Sequence, residues 1–177
     1  MNVSPMRHLI ALLVMAVLFS ACEEPEVSRK SEADKVDDWL NQPCDVVFDD
    51  LPQRHHSYLS VYSLVYHRTE KRQYNLSVTI SMRNTSSTET LVLNAIDYYN
   101  GEGEKIRAYV ENPVCLGPMV TREIVINAPD TEGGVGGNFI FDWHMRNEST
   151  KPIFEAVMIS TAGQQGLSFV TTGVHLD

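Results

Sequence analysis

The stretch QYNLSVTISMRN, residues 73–84, decides the fold class of this 177-residue chain. Apolar and polar side chains alternate along it with a period of two, which is the pattern of a β-strand that buries one face. The apolar face carries Tyr74, Leu76, Val78, Ile80 and Met82, and the polar face carries Asn75, Ser77, Thr79 and Ser81. We therefore predict a strand that a core covers on one side and water on the other.

Short β-rich runs continue on both sides of this strand from Tyr58 onward, without a helical period of useful length. Turn-forming residues separate them, and they lie at residues 58–67, 90–99, 106–110, 119–126, 139–145, 154–161 and 167–174. About eight short strands with regular turns predict an all-β domain built as a single antiparallel β-sandwich.

The run at residues 90–99 changes phase in its middle, where the apolar positions move from Leu91 and Leu93 to Ile96 and Tyr98. A phase change at Asn94–Ala95 predicts a bulge, or a strand that passes from one sheet to the other. The interval 79–126 resembles an immunoglobulin-like module, because one strand ends in RNTSS, the next carries IDYYNGEG and a third follows LGP.

The N-terminus has the layout of a secretory signal peptide over residues 1–21. Arg7 precedes an apolar run from Leu9 to Phe19, and small residues follow before Cys22. The run is too short to span a bilayer, which takes about 20 apolar residues. We therefore expect the segment to be a cleaved signal.

The stretch LFSAC, which ends at Cys22, resembles the lipobox of bacterial lipoproteins. In that family the cysteine is acylated and becomes the new N-terminus, which implies a membrane partner through a lipid anchor. The alternative is ordinary cleavage after Cys22. Glu23 follows where an aspartate would retain the protein in the inner membrane, so the family's sorting pattern implies the bacterial cell envelope, at the outer membrane facing the periplasm.

Residues 22–43 are charged and poor in aliphatic side chains, so we interpret them as a tether before a β domain at residues 44–177. Ser31 is placed to cap a short helix within the tether, and Trp39 would dock on the domain or on the membrane face. Cys44 and Cys115 remain after lipidation. In an oxidising compartment they form either a disulfide or two separate thiols.

The charge of the chain limits its partners. The formal net charge is −9, and it becomes −10 when residues 1–21 are removed with Arg7. An acidic chain of this size is a poor ligand for nucleic acid or anionic lipid headgroups, because both are negative. Hydrophobic residues make up 43% of the chain, which is enough for one buried core.

A glycine-rich loop in TEGGVGGNFIFDW, residues 131–143, invites a binding interpretation. It is not a phosphate cradle, because it opens a strand instead of a helix and has no P-loop lysine. It is either a turn that needs glycine or a binding loop that acts together with the second glycine turn, TAGQQG at 161–166. The candidate binding residues are Gly133, Gly134, Gly136, Gly137, Asn138, Gln164 and Gln165.

No catalytic residue, metal site or cofactor is indicated. The histidines lack zinc-ligand spacing, and no GxSxG elbow is present. An alternative function keeps catalysis open: an envelope hydrolase, or a small-ligand or glycan-binding protein, with a cleft near Asp97, Glu155 and Trp143. That alternative requires the carboxylates to converge in one pocket.

Six stretches between residues 60 and 173 occur in a specific order: SVYSLVYH, IDYYNGEGEKIRAY, LGP, GGVGGNFIFDW, EAVMISTAGQQGLSF and TTG. Together they resemble a family of small bacterial envelope proteins catalogued as a domain of unknown function. The resemblance implies a compact β domain, often behind a lipoprotein signal, and brings no catalytic residue. We expect a non-catalytic interaction module that docks an envelope protein or polymer.

Overall fold

The computed structural model describes residues 38–42, 44, 53–146, 150–161 and 166–176. The predicted signal peptide, Cys22, most of the tether, and Gln164 and Gln165 lie outside the described residues. All described residues belong to the unit Glu32–Asp177.

The described residues form one short 3-10 helix, Asp38–Asn41, and twelve strands. The first six strands are β1 His55–Val61, β2 Leu64–His67, β3 Thr69–Asn75, β4 Ser77–Arg83, β5 Leu91–Tyr99 and β6 Lys105–Ala108. The last six are β7 Val114–Leu116, β8 Thr121–Ile126, β9 Gly137–His144, β10 Ile153–Ser160, β11 Leu167–Thr172 and β12 Val174–His175.

The strands form an antiparallel sandwich, as the alternation predicted. The first sheet has the order β12-β1-β9-β5-β6, and β7 also pairs with β5. The second sheet has the order β11-β10-β4-β8. Among the described strands, β2 and β3 pair only with each other, and we call this two-stranded hairpin, residues 64–75, the arm.

The core lies between the two sheets and is made by the inward faces of their strands. In β4 and the residue before it, the apolar set is completely buried: Leu76, Val78, Ile80 and Met82. Stacked aromatic rings connect the sheets: the ring centroids of Phe141 in the first sheet and Phe154 in the second are 4.1 Å apart. Burying a phenylalanine side chain stabilises a fold by about 1.5–3 kcal/mol.

The structure has more strands than the eight predicted runs because three of those runs divide. Residues 58–67 divide at Tyr62–Ser63, residues 73–84 divide at Leu76, and residues 167–174 divide at Gly173. At Gly173 the chain passes from the second sheet to the first, and an added Cβ would lie 3.1 Å from Phe154 Cβ. Strand β7 has three residues, too few for an alternation of apolar and polar side chains to be recognised in the sequence.

The predicted irregularity in β5 is a bulge. Leu93 pairs with Trp143 and Ala95 with Asp142, so Asn94 is the extra residue. The first half of β5 pairs with β7 and the second half with β6. The bulge therefore sits where β5 exchanges one edge partner for another.

Trp39 docks on the domain. Its side chain is 5% exposed and belongs to the core, and the indole Nε1 donates to the carbonyl of Glu123 at 3.3 Å. Glu123 lies in β8, an edge strand of the second sheet, so the tryptophan covers part of an otherwise open edge. Within the described part of the chain, no helix has the length and apolar character needed to cross a membrane.

Cys44 and Cys115 are joined as a disulfide in the structure, with their Cα atoms 5.1 Å apart. That distance lies inside the range that disulfides adopt. Cys115 is in β7 opposite Val92, near the start of β5. The disulfide is therefore at the end of the sandwich where β5 begins, and the glycine loop is at the opposite end.

Candidate binding surface at the glycine-rich end

Three segments meet at one end of the sandwich, which we call the glycine end: the arm, the turn 100–104 and the loop 131–136. The pairing of Val61 with Gly137 and of Tyr99 with Asn138 places the ends of β1 and β5 beside the start of β9. In the second sheet, Ser160 pairs with Leu167 at this same end. Ser160 and Leu167, which flank the second predicted glycine turn, therefore lie at the same end as the first; residues 162–165 of that turn are outside the described residues.

The glycines of the loop are required by backbone conformation and close packing. Gly134 has a φ of +63°, in the left-handed region that favours glycine. A Cβ at Gly133 would lie 1.8 Å from the Tyr98 hydroxyl oxygen, and one at Gly137 would lie 3.1 Å from the Tyr98 ring. The loop closes directly over Tyr98, so these glycines act in packing, one of the two interpretations of the sequence.

Tyr98 supports the loop from below. Its side chain is completely buried, and burial raises its pKa to about 12, while the nearby Ser63 side chain opposes that rise. The phenol therefore stays protonated under physiological conditions.

An arginine clamps one side of the loop to β6. Arg107 Nη2 donates to Asp130 and to Glu132 at 3.0 Å each, and Nη1 donates to the Tyr109 hydroxyl at 3.0 Å. Desolvation lowers the pKa of Arg107. The hydrogen bonds to Asp130 and Tyr109 raise it by more, so the pKa of Arg107 lies above its ordinary value. The network holds residues 130–132 in one position.

The base of the arm holds the other side of the loop. The carbonyl of Gly134 accepts hydrogen bonds from the backbone amides of Ser63 and Leu64, at 3.0 and 3.2 Å, and from the Ser63 hydroxyl at 3.2 Å. Three donors on one carbonyl fix the loop against the arm. The glycine loop is therefore hydrogen-bonded to the sandwich on both sides.

Asn138 is used inside the protein. Its side chain accepts a hydrogen bond from the Tyr58 hydroxyl and donates to the carbonyl of Gly136 at 3.0 Å. The sequence suggested that this amide would bond to a partner. In the structure it instead fixes the start of β9 to β1 and to the glycine loop.

An apolar recess opens between the arm and the loop. It has a volume of about 250 Å³ and is lined by Tyr62, Leu64, Val65, Tyr66 and Val135. Tyr66, which lines this recess, is 57% exposed, so its ring is accessible to a partner. A second recess of about 450 Å³ lies on the β3 side of the arm, lined by Gln73, Tyr74, Asn75, Ser77, Ala128 and Ile159 among others.

The cleft proposed near Asp97, Glu155 and Trp143 is not formed. Asp97 is in the first sheet and pairs with Lys105 at 2.6 Å, whereas Glu155 is in the second sheet and pairs with Arg83 at 3.3 Å. Trp143 is 2% exposed and faces the core. Alternation places the two carboxylates on the outer faces of opposite sheets, so the required convergence is absent for these residues.

A polar cluster surrounds the bulge in β5; alternation along β9 places Asp142 and His144 on one face, and the bulge adds Asn94 to them. Asn94 Nδ2 lies 3.0 Å from Asp142 Oδ1 and 2.9 Å from His144 Nδ1, and Arg54 pairs with Asp142 at 3.1 Å. Burial lowers the pKa of His144, so its imidazole is neutral. Within the described residues, no group of three or more His, Cys, Asp or Glu side chains is arranged to hold a metal.

These observations define a class of protein: an antiparallel β-sandwich whose glycine loop is hydrogen-bonded on both sides and lies beside an apolar recess. The chain belongs to the family described as "Protein of unknown function (DUF3124)", whose model matches residues 54–176. The match begins just before β1 and ends just after β12, so it covers the whole sandwich and excludes the predicted signal and tether.

Two further comparisons add no function. The chain is similar to a solved structure from Thermotoga maritima, described as "Crystal Structure of Thermotoga maritima 1070", with 7% identity and a TM-score of 0.43. The alignment covers 68% of this chain and 92% of that one. At this level of similarity it carries no argument. No curated protein matches the chain.

Proposed function

We propose that the protein is a lipid-anchored envelope protein whose sandwich docks a partner through the glycine end, without catalysing a reaction. The observation that carries the proposal is the apolar recess between Val135 and the arm, beside the exposed Tyr66. Aromatic side chains beside apolar pockets are the anchors on which protein interfaces most often depend. Loops at one end of a sandwich are also a frequent place for binding.

The hydrogen bonds on both sides of the glycine loop support a binding role. Arg107 fixes the loop on one side and the amides of Ser63 and Leu64 fix it on the other. Because the loop is already ordered, docking would cost little conformational entropy there. A surface with a recess of about 250 Å³ favours a partner with a complementary apolar side chain.

The anchor is tested first at Cys22. Mass spectrometry of the N-terminal peptide from the native membrane should find an acylated Cys22 as the first residue. Substitution of Cys22 by serine should remove the mass of the acyl chains from this peptide and prevent cleavage before residue 22. An unmodified wild-type chain that begins after Cys22 contradicts the anchor.

The docking surface is tested by removing apolar side chains in a matched design. The double variant Tyr66→Ser/Val135→Ser removes the recess anchors, and Val125→Ser/Val170→Ser removes exposed apolar side chains from the second sheet, where they are 42% and 58% exposed. We expect partners that co-purify with the wild-type lipoprotein after crosslinking to be lost only from the first variant. Equal loss or equal retention in both would contradict docking through the glycine end.

A further inference from the structure

The charges at the glycine end are separated into two sides. The arm carries three cations, Arg68, Lys71 and Arg72, against one carboxylate, Glu70, and all four residues are exposed. Among the described residues, none of these cations forms an ion pair. A surplus of positive charge is therefore displayed on a chain whose formal net charge is −9.

The backbone of the arm presents these cations outward. Pairing between β2 and β3 jumps from Tyr66–Gln73 to His67–Thr69, so residues 70–72 have no partner on β2. Arg68 occupies the turn with a φ of +61°. The ring of His67 stacks on Tyr74 at 4.2 Å and fixes the tip. The bulge and the turn together hold the three cations at the end of the hairpin.

The other side of the glycine end is acidic. It has two cations, Lys105 and Arg107, and five carboxylates. The carboxylates lie in β5, in the turn, in the loop and just before the loop: Asp97, Glu102, Glu104, Asp130 and Glu132. Lys105 pairs with Asp97, and Arg107 pairs with Asp130 and Glu132. Glu102 and Glu104 are exposed, as is 59% of the Glu132 side chain. We call this set of residues the acidic side.

The recess lies between the arm and the acidic side. Val135 lines the recess together with the base of the arm. The loop also contacts the turn 100–104, on the side away from the recess. The two backbones are close there, because a Cβ added at Gly101 would lie 3.7 Å from the Gly136 carbonyl oxygen. The order across the end is therefore arm, recess, acidic side. A twofold rotation would place each arm over the acidic side of the other copy, with the two recesses face to face.

We propose that a second copy of this chain is the partner that docks on the glycine end, in an isologous dimer. The inference rests on the proposed function, because it uses the same end and names its occupant. Each exposed ion pair is individually weak, so the charges contribute little affinity. Their role is to set the orientation of one copy relative to the other. Tyr66, Val135 and the recess side chains form the apolar centre from which affinity comes. Among the described residues outside the arm and the acidic side, five cations stand beside six carboxylates, so no comparable separation of charge favours another face.

A charge exchange tests the dimer. Sedimentation of the full lipoprotein in detergent should show a dimer for the wild type. The arm variant Arg68→Glu/Arg72→Glu and the acidic-side variant Glu102→Lys/Glu104→Lys should each dimerise at least tenfold more weakly. An equimolar mixture of the two should recover dimers, because in the mixed pair both arms face an opposite charge.

The matched control is Arg146→Glu/Lys151→Glu, which makes the same charge change on exposed residues at the opposite end of the sandwich. It should dimerise as the wild type does. Circular dichroism verifies that every variant is folded. A monomeric wild type, or a mixture that stays monomeric, overturns the inference. If the wild type is monomeric but the Tyr66→Ser/Val135→Ser variant loses a different crosslinked protein, the docking proposal survives and only the identity of the partner is wrong.

Discussion

The backbone of Gly133 rests directly on the hydroxyl group of Tyr98, so that a Cβ at residue 133 would lie 1.8 Å from the phenol oxygen and 2.6 Å from Cζ. Tyr98 is itself completely buried in the core of the sandwich. The glycine loop is therefore attached to the hydrophobic core, and its shape depends on the same packing that stabilises the fold.

Substitution of Gly133 by alanine should destabilise the protein by about 1–3 kcal/mol, because the added methyl group overpacks a rigid ring. The free energy of unfolding in urea measures this. Gly117→Ala is the control and should change stability by less than about 0.5 kcal/mol, since the nearest atom, Val120 Cγ2, is 3.8 Å away. The double variant Gly133→Ala/Tyr98→Phe should recover part of the loss. Equal effects at Gly133 and Gly117 would contradict the contact.

Trp39→Ala should cost about 3–5 kcal/mol, because the large buried side chain leaves a cavity. Trp39→Phe keeps most of the packing but loses the bond to the Glu123 carbonyl, so it should cost about 1 kcal/mol beyond the change in packing. Urea denaturation of both variants gives these values. A change below about 1 kcal/mol for Trp39→Ala would show that the 3-10 helix does not cover the edge of the second sheet.

Loss of the Cys44–Cys115 disulfide should lower stability by roughly 4 kcal/mol on the chain-entropy model, because the bond closes a loop of 71 residues in the unfolded chain. The variant Cys44→Ser/Cys115→Ser, compared with the oxidised wild type, measures the loss. Mass spectrometry of unreduced peptides should find the two cysteines linked. Two free thiols in protein purified from the envelope would contradict the pairing.

His144 should make the sandwich less stable in mild acid. Burial holds the pKa of folded His144 below that of an unfolded histidine, which is about 6.5. As the pH falls, the unfolded chain binds this proton first, so the stability contributed by neutral His144 is complete above about pH 6.5 and decreases towards the folded pKa. Unfolding free energies at pH 7.5 and 5.5 should differ more for the wild type than for His144→Asn.

A direct titration checks the same point. The His144 ring protons in an NMR titration should report a pKa lower than that of a histidine in an unfolded peptide. An equal or higher pKa would mean that burial does not favour the neutral imidazole of His144. The His144→Asn variant assigns the resonance, because its signal disappears.

Alternation along single strands was enough to predict the sandwich. It located the buried face of β4 and the bulge at Asn94, because both depend on neighbours within one strand. It did not locate the arm. The run at residues 73–84 alternates without interruption through Leu76, so the pattern contains no sign that β3 leaves the sheet.

The candidate surface depends on contacts between distant segments, which a pattern of spacing does not contain. Arg107 reaches Asp130 across 23 residues, and Ser63 reaches Gly134 across 71. The glycines at 133–137 did indicate a special loop, but only the fold shows that they cover Tyr98. The same fold separates Asp97 from Glu155, which excludes the cleft that the sequence allowed for them.

Site-specific photocrosslinking in living cells tests the central claim, that partners dock through the glycine end. A photoreactive amino acid is placed singly at Tyr66, Val135, Val125 and Arg146 of the full lipoprotein, four positions that represent the arm, the loop, the second sheet and the opposite end. We predict crosslinked products from positions 66 and 135 and none from 125 and 146. Products from position 125 or 146 with none from 66 and 135, or no products from any position, would contradict the claim.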